Sequence, residues 1–273
     1  MLKKITLVLS AAALALTAAC GSDSSSDKPA DPSKALVVGA TATPQGDILN
    51  YIKSDLADKA GLKLEVKEFT DYTQLNPAVE DGQIDANYFQ HKPYLTEYSA
   101  QHGDKLAWTV DVHVEPLGVY SKKVTALTDL KDGATVTIPN DPTNGARALK
   151  LLADNGLITL KDPASTTATE RDVTANAKHL KFKALDAAQL PRSLEDADAA
   201  VINGNYALAA KLTPAKDAIV LEKAEGNPYA NGLVVKKGSE SDPRVEKLDT
   251  LLHSPEVKKF ITDKYQGSVL SAF

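Results

Sequence analysis

The hydrophobic period of this chain switches repeatedly between two and about 3.6 residues, and that constrains its fold more than any other feature. "ALVVGA" (35–40) is a short continuous apolar run, the pattern of a strand covered on both faces. After Pro44 and Gly46, Asp47 is placed to cap a helix whose Ile48, Leu49, Ile52 and Leu56 form one stripe, ended by Gly61. "LKLEVKEF" (62–69) alternates Leu62, Leu64 and Val66, so the period returns to that of a strand. "YTQLNPAVEDG" reads as a helix stopping at Gly82 and "IDA" (84–86) as a brief strand. That leaves "NYFQHKPYL" (87–95) at a helix entry facing a crevice rather than inside a strand.

An extended stretch follows around "WTVDVHVEPLGVYS" (108–121), and then the rhythm resumes. "ATVTIP" (134–139), "KFKALD" (181–186), "AAVIN" (199–203) and "NGLVVKKG" (231–238) read as strands. Helices are expected from Asn144 to Asn155, closed by Gly156, briefly at "QLPRSLED", and over Pro243 to Leu252 and Pro255 to Tyr265. Such alternation implies an α/β fold with mostly parallel sheet and helices on both faces. Roughly 240 residues from Ala35 onward suffice for two lobes. The breaks in pattern place one lobe over 35–115 plus 228–273 and the other over 116–227, linked near 114–120 and 223–230.

The first 34 residues carry a different message. Lys3 and Lys4 precede an apolar, charge-free run from Ile5 to Ala19, short for a membrane span but suited to a signal peptide over residues 1–19. The run ends "LTAAC" at Cys20, the only cysteine, and the hydrophilic stretch after it, through residue 34, reads as a flexible tether. Together these fit a bacterial lipoprotein cleaved before Cys20, lipidated on its sulfur and held at the extracytoplasmic face of the cell membrane. Thr17 departs from the aliphatic residue usual three places before such a cysteine. Ordinary cleavage near Ala19 is the alternative. Losing Lys3 and Lys4 would move the formal charge from −5 to −7, since −5 − 2 = −7. With acids and bases interspersed and no basic stripe, nucleic acid is excluded as a partner.

No catalytic constellation emerges. The five histidines sit in no metal-ligand spacing, and no nucleophile elbow, P-loop or dinucleotide fingerprint occurs. The chain reads as a binding protein, without cofactor or metal. Three segments follow expected strands, where ligands gather in open α/β sheets: "NYFQHKPYL", "NDPTNGAR" and "NGNYA". The first packs Tyr88, Phe89, His91 and Tyr94 into seven residues, although aromatics make up only 5% of the chain. In the second, Thr143 or Asn144 is placed to cap a helix with Arg147 in its first turn, where the macrodipole disfavours a cation. Arg147 with the free N–H groups would form a carboxylate clamp, crowded by Asn140, Asp141 and Asn144. Asn203 ends a buried strand and needs partners or a ligand, and Asn231 precedes another apolar run.

"DANYFQHKPYL", "GVYSKK", "IPNDPTNGARAL", "QLPRSLEDADAAVIN" and "LTPAKDAI" together closely resemble the NlpA-type lipoproteins, methionine-binding subunits of ABC importers. The resemblance covers nearly the whole body. It implies a two-lobed periplasmic-binding-protein-like fold with a ligand cleft between lobes, and as partners methionine or a close analogue, an ABC permease and its ATPase. Carried over by motif, Arg147 would pair with the ligand carboxylate, and Asn203 and Asn231 would hold the carboxylate and amino group. Tyr72, Phe89, His91 and Tyr94 would line the side-chain pocket, with Phe69 and Asn144 as further candidates. A methionine-containing dipeptide, another amino acid or, less well supported, a metal taken by His91 and His113 are the alternatives. The polarisable thioether suits an aromatic slot, each sulfur–ring contact being worth roughly 0.3–1.5 kcal/mol.

Overall fold

The computed structural model describes residues 31–273, so the expected signal peptide and Cys20 lie outside the described residues. In chain order, the elements are β1 (Leu36–Thr41), α1 (Asp47–Tyr51), β2 (Leu64–Phe69), α2 (Leu75–Glu80), β3 (Ala86–His91), α3 (Lys92–His102) and β4 (Leu106–Val114). They continue with β5 (Gly118–Tyr120), β6 (Thr135–Pro139), α4 (Pro142–Asp154), a separate pair β7 (Thr159–Leu160) and β8 (Val173–Ala175), β9 (Lys181–Leu185), α5 (Leu190–Ser193), β10 (Ala199–Ile202), α6 (Gly204–Ala209), α7 (Pro214–Asp217) and β11 (Val220–Leu221). The chain closes with β12 (Ala230–Lys236), α8 (Pro243–Leu252), α9 (Pro255–Tyr265) and β13 (Leu270–Ser271). No described helix is long and apolar enough to cross a membrane.

Two sheets carry two lobes. The first runs β13-β4-β12-β3-β1-β2 and the second β11-β5-β10-β6-β9. Neither is mostly parallel, contrary to expectation. In the first, β1 pairs in parallel with β2 and β3, while β12 and β13 join antiparallel. In the second, β6 pairs in parallel with β9 and β10, while β5 is antiparallel to both β10 and β11. The physical reason is the path of the chain. It leaves one lobe after β4 and returns at β12, so these strands meet their sheets without the crossover helix that parallel pairing needs.

Each sheet is covered on both faces. Leu36, Val38 and Ala40 of β1 pack with Ile48, Leu49 and Ile52 and with Val245, Leu248, Val257 and Ile261 of α8 and α9. The opposite face packs on Val79, Ile84 and Leu95. In the second lobe, Val136 and Ile138 of β6 meet Leu149 and Leu152 of α4, while Leu190, Ile202 and Tyr206 cover the other side. Truncating Leu149 or Leu152 to alanine would cost about 2–5 kcal/mol.

Three local expectations are corrected. Asp47 does not cap the first helix: helical winding already begins in the segment Ala42–Gly46, and Thr43 in extended conformation donates its hydroxyl to Asp47 Oδ2 at 2.8 Å. The aromatic run is a helix entry only from Lys92 on, where His91 caps α3; its first part belongs to a strand, Ala86–His91, buried at every residue. β3 lies between β1 and β12, and its polar residues Asn87 and Gln90 are satisfied by α2. Asn87 Nδ2 donates to Leu75 O (3.2 Å) and Asn76 Oδ1 (2.9 Å), and Gln90 Nε2 donates to Asn76 Oδ1 (2.6 Å). Finally, α4 is capped by Asp141, whose carboxylate accepts from Asn144 N at 2.9 Å, not by Thr143 or Asn144. Arg147 is therefore the sixth helical residue, beyond the first turn.

Candidate functional site

The lobes meet over a cavity lined from the first by Tyr72, Phe89, Gln90, His91, Tyr94, Glu115 and Asn231, and from the second by Asn144, Arg147, Asn203, Gly204 and Asn205. Strand ends place most of these groups. His91 closes β3 and caps α3, its Nδ1 accepting from Tyr94 N at 3.1 Å. Asn203 lies between β10 and α6.

One end of the cavity is aromatic. Tyr72 stands 5.5 Å from Phe89, 6.0 Å from Tyr94 and 4.9 Å from Tyr206, centroid to centroid, and Phe89 meets Tyr94 edge-on at 5.6 Å. Burial pushes the Tyr94 hydroxyl, like that of Tyr72, far above the usual phenol range, so both remain neutral donors. Tyr72 donates to Asn205 Oδ1 across the lobes at 2.5 Å.

The other end is polar. Burial, reinforced by the Arg147 charge, pulls His91 down to about 3, so its ring is neutral. With Nδ1 accepting, the proton sits on Nε2, which faces Asn144 Oδ1 at 3.1 Å. Asn203 Nδ2 donates to the same Asn144 oxygen at 3.0 Å, and Asn203 Oδ1 is buried without a hydrogen-bond partner among the described residues. A buried, unpaired carbonyl costs about 1–3 kcal/mol and is a receptor for a donor from outside the chain.

Arg147 is 3% exposed and does not stand free. Its Nε donates to Glu222 Oε1 at 3.0 Å, and its Nη2 to Glu222 Oε2 at 2.5 Å and to Glu115 O at 2.8 Å. Nη1 makes no hydrogen bond among the described residues, and the guanidinium lies 4.3 Å over Tyr229. Burial alone would raise the Glu222 carboxyl; the Arg147 charge and hydrogen bonds outweigh it and hold the group below its usual 4.5. The expected conflict with the helix dipole does not arise, because Arg147 lies past the first turn, and a carboxylate of the chain itself matches its charge. Glu115 and Glu222 sit on the two segments joining the sheets, just past β4 and just past β11, so Arg147 ties both links together.

Of the residues expected from sequence, Tyr72, Phe89, His91, Tyr94, Asn144, Arg147, Asn203 and Asn231 share this cavity. Phe69 does not line it and is withdrawn. It ends β2, the edge strand two places from β3, and packs against the cluster around Val79 and Ile84. Asn231 holds Gln45, whose Nε2 donates to Asn231 Oδ1 at 3.1 Å. His113 lies behind the wall, bonded to Tyr88 and Glu115. Sequence reasoning overlooked Glu115, Gln90, Gly204 and Glu222. Glu115 left a legible signal, a lone carboxylate in the apolar stretch "VHVEPLGV". Gly204 is required by contact: a Cβ there would stand 2.8 Å from Glu115 Cβ. Among the described residues no cluster of His, Cys, Asp and Glu could hold a metal ion, and His91 and His113 are occupied by other partners.

Two αβ lobes closing on a buried cavity with an aromatic end and a polar end define the periplasmic substrate-binding class of protein. Residues 36–273 match the NlpA lipoprotein family, and the chain belongs to that family. It is 42% identical over 257 residues to the methionine-binding lipoprotein MetQ of Bacillus subtilis, covering 93% of this chain and 92% of that one. A nutrient-binding protein from Burkholderia cenocepacia, solved bound to methionine, is 46% identical with a TM-score of 0.84, covering 87% of this chain and 100% of that one. An ABC transporter periplasmic substrate-binding protein from Coxiella burnetii is 42% identical with a TM-score of 0.83, covering 87% and 100% respectively.

Proposed function

We propose that this chain is the substrate-binding lipoprotein of an ABC importer. It captures methionine between its lobes and delivers it to a permease driven by an ATPase. Family membership and the relatives' ligand support the class. The observation that carries the reading is the division of one interlobe cavity into an aromatic slot and a polar end with groups left to bond a ligand. Tyr72, Phe89 and Tyr94 suit an unbranched thioether, with His91 at the boundary. Arg147 Nη1 and the amides of Asn203 and Asn231 suit the charged head, while Asn144 orients His91 and Asn203. Residues 35–115 with 228–273 and residues 116–227 act as lobes that close on the ligand by hinge motion at the two links. Lipid on Cys20 holds the protein at the extracytoplasmic face of the membrane, and it catalyses no reaction.

Titration calorimetry with each methionine enantiomer, beside native mass spectrometry of the protein as purified, tests the assignment. Saturable binding of at least one enantiomer is expected. Failure of both to bind would refute it. Cys20→Ser is expected to move the protein from the membrane to the soluble fraction.

A further inference from the structure

Tyr72 and Tyr94 each face two spaces. One is the cavity between the lobes. The other is a groove outside it, open to solvent, with Pro77, Tyr98 and Gln101 on the first lobe and Pro142 on the second. Tyr94, Tyr98 and Gln101 recur at i, i+4 and i+7 along α3, so one face of that helix runs from the cavity into the groove. Tyr98 stacks on His102 at 4.3 Å, centroid to centroid, which gives the groove an aromatic wall of its own. Its space is about 260 Å³, and about 10–15 Å³ already holds one water, so a short chain of methylenes fits.

The two tyrosines that separate these spaces are held differently. Tyr72 is fixed, its hydroxyl bonded to Asn205 across the lobes and its ring lying against Tyr206. The Tyr94 hydroxyl makes no hydrogen bond among the described residues, and its ring meets Tyr72 and Phe89 edge-on at 6.0 and 5.6 Å. Packing alone keeps that ring in the gap. Charge restricts what the groove accepts. Glu97 and Asp141 line it and no lysine or arginine does, so a second carboxylate, as in a peptide, would meet two acids and no cation. An uncharged alkyl chain meets ring faces and prolines instead.

We infer that the groove is an apolar extension of the cavity, shut off by the Tyr94 ring, and that this ring sets the longest thioether side chain the site accepts. This rests on the reading of the cavity as a methionine site. The aromatic end then receives the thioether, and an alkyl group on sulfur longer than methyl runs into Tyr94. With the ring removed, further methylenes enter the groove, each worth about four-fold in affinity once buried.

The test is calorimetric, on the mature protein, with methionine and S-butylhomocysteine, both as racemates. The parent is expected to bind S-butylhomocysteine at least about a hundred-fold more weakly than methionine. Tyr94→Ala is expected to lose affinity for methionine and to narrow the gap between the two ligands at least about ten-fold. Gln101→Trp fills the groove without touching the cavity. Alone it should leave methionine binding as in the parent, and added to Tyr94→Ala it should reopen the gap. Melting without ligand precedes each titration, and where Tyr94→Ala does not fold, Tyr94→Leu is read in the same way. Three results overturn the inference while methionine binding stands. They are a parent that binds both ligands within ten-fold, a gap that Tyr94→Ala leaves unchanged, and a narrowed gap that Gln101→Trp does not reopen. The last would mean that the chain fits in the space of the lost ring and never enters the groove. If the parent binds neither methionine enantiomer, the functional reading fails and this inference falls with it.

Discussion

Arg147 is expected to matter for folding as well as binding, because it is half of a buried pair. Arg147 is 3% exposed and Glu222 17%. Breaking a buried pair from one side costs about 3–5 kcal/mol, because the surviving charge loses its partner. Partial access of water to Glu222 draws Arg147→Met toward the lower bound, about 3 kcal/mol, with the methionine chain keeping much of the packing on Tyr229. For a body of this size each kcal/mol moves Tm by about 2–4 °C, so the ligand-free variant melts about 6–12 °C lower. Glu222→Gln strands the guanidinium instead and is expected to cost a similar amount. The double variant has no stranded charge, and its loss should fall short of the sum by about 2–3 kcal/mol. Urea denaturation of the four proteins without ligand measures this coupling directly. Single losses under about 0.5 kcal/mol, or losses that simply add, would refute the account of Arg147 as a paired, buried cation.

Three further outcomes follow from the same geometry. Tyr72→Phe removes the cross-lobe bond to Asn205, worth about 1 kcal/mol, so calorimetry should find methionine affinity about five-fold lower with thermal stability of the ligand-free form little changed. Gly204→Ala places a methyl 2.8 Å from Glu115 Cβ and resists closure; overpacking of about 1–3 kcal/mol predicts roughly a ten- to hundred-fold loss of affinity, while small-angle scattering with ligand stays that of an open form. Because the folded state holds Glu222 below its usual 4.5, the unfolded state binds more protons as pH falls past that value. Stability from the pair is complete above pH 4.5 and drains away below it, and the stability–pH profile of Glu222→Gln should be flatter there than the parent's.

How much was legible beforehand depended on the kind of signal. Pro243–Leu252 and Pro255–Tyr265 are helices at the residues expected, since proline, spacing and stripe agree there. Strand β3 is hidden in the sequence because His91 and Lys92 interrupt the apolar period, and Asn87 and Gln90 within it are polar as well. Their partners Asn76 and Tyr94 N come from other elements, and sequence spacing does not reveal such pairing. The direction of β12 was equally hidden, since an apolar run does not say whether its neighbours run with or against it. Arg147 was found for a sound reason, a cation near a helix start, but the obvious inference of an external anion overlooked a carboxylate 75 residues away. Glu115 lies neither at a strand end nor among aromatics, and its one signal in the sequence is a charge inside an apolar stretch.

On the proposed reading, binding is coupled to closure through the contacts between the lobes. Closure brings together Tyr72 with Asn205, His91 with Asn144, Tyr206 with Thr70 O at 3.2 Å, and Arg147 with Glu115 O. At about 1 kcal/mol each these contacts favour the closed form by a few kcal/mol. Closure also strips water from Glu115, a penalty of several kcal/mol that opposes it. The two contributions are of similar size, so the protein's own contacts leave the balance close to even, and a ligand shifts it by what it adds to the closed state alone. On the proposed reading a ligand therefore closes the lobes only through contacts made with both at once, Tyr72, Phe89 and Tyr94 on one side and Arg147 and Asn203 on the other.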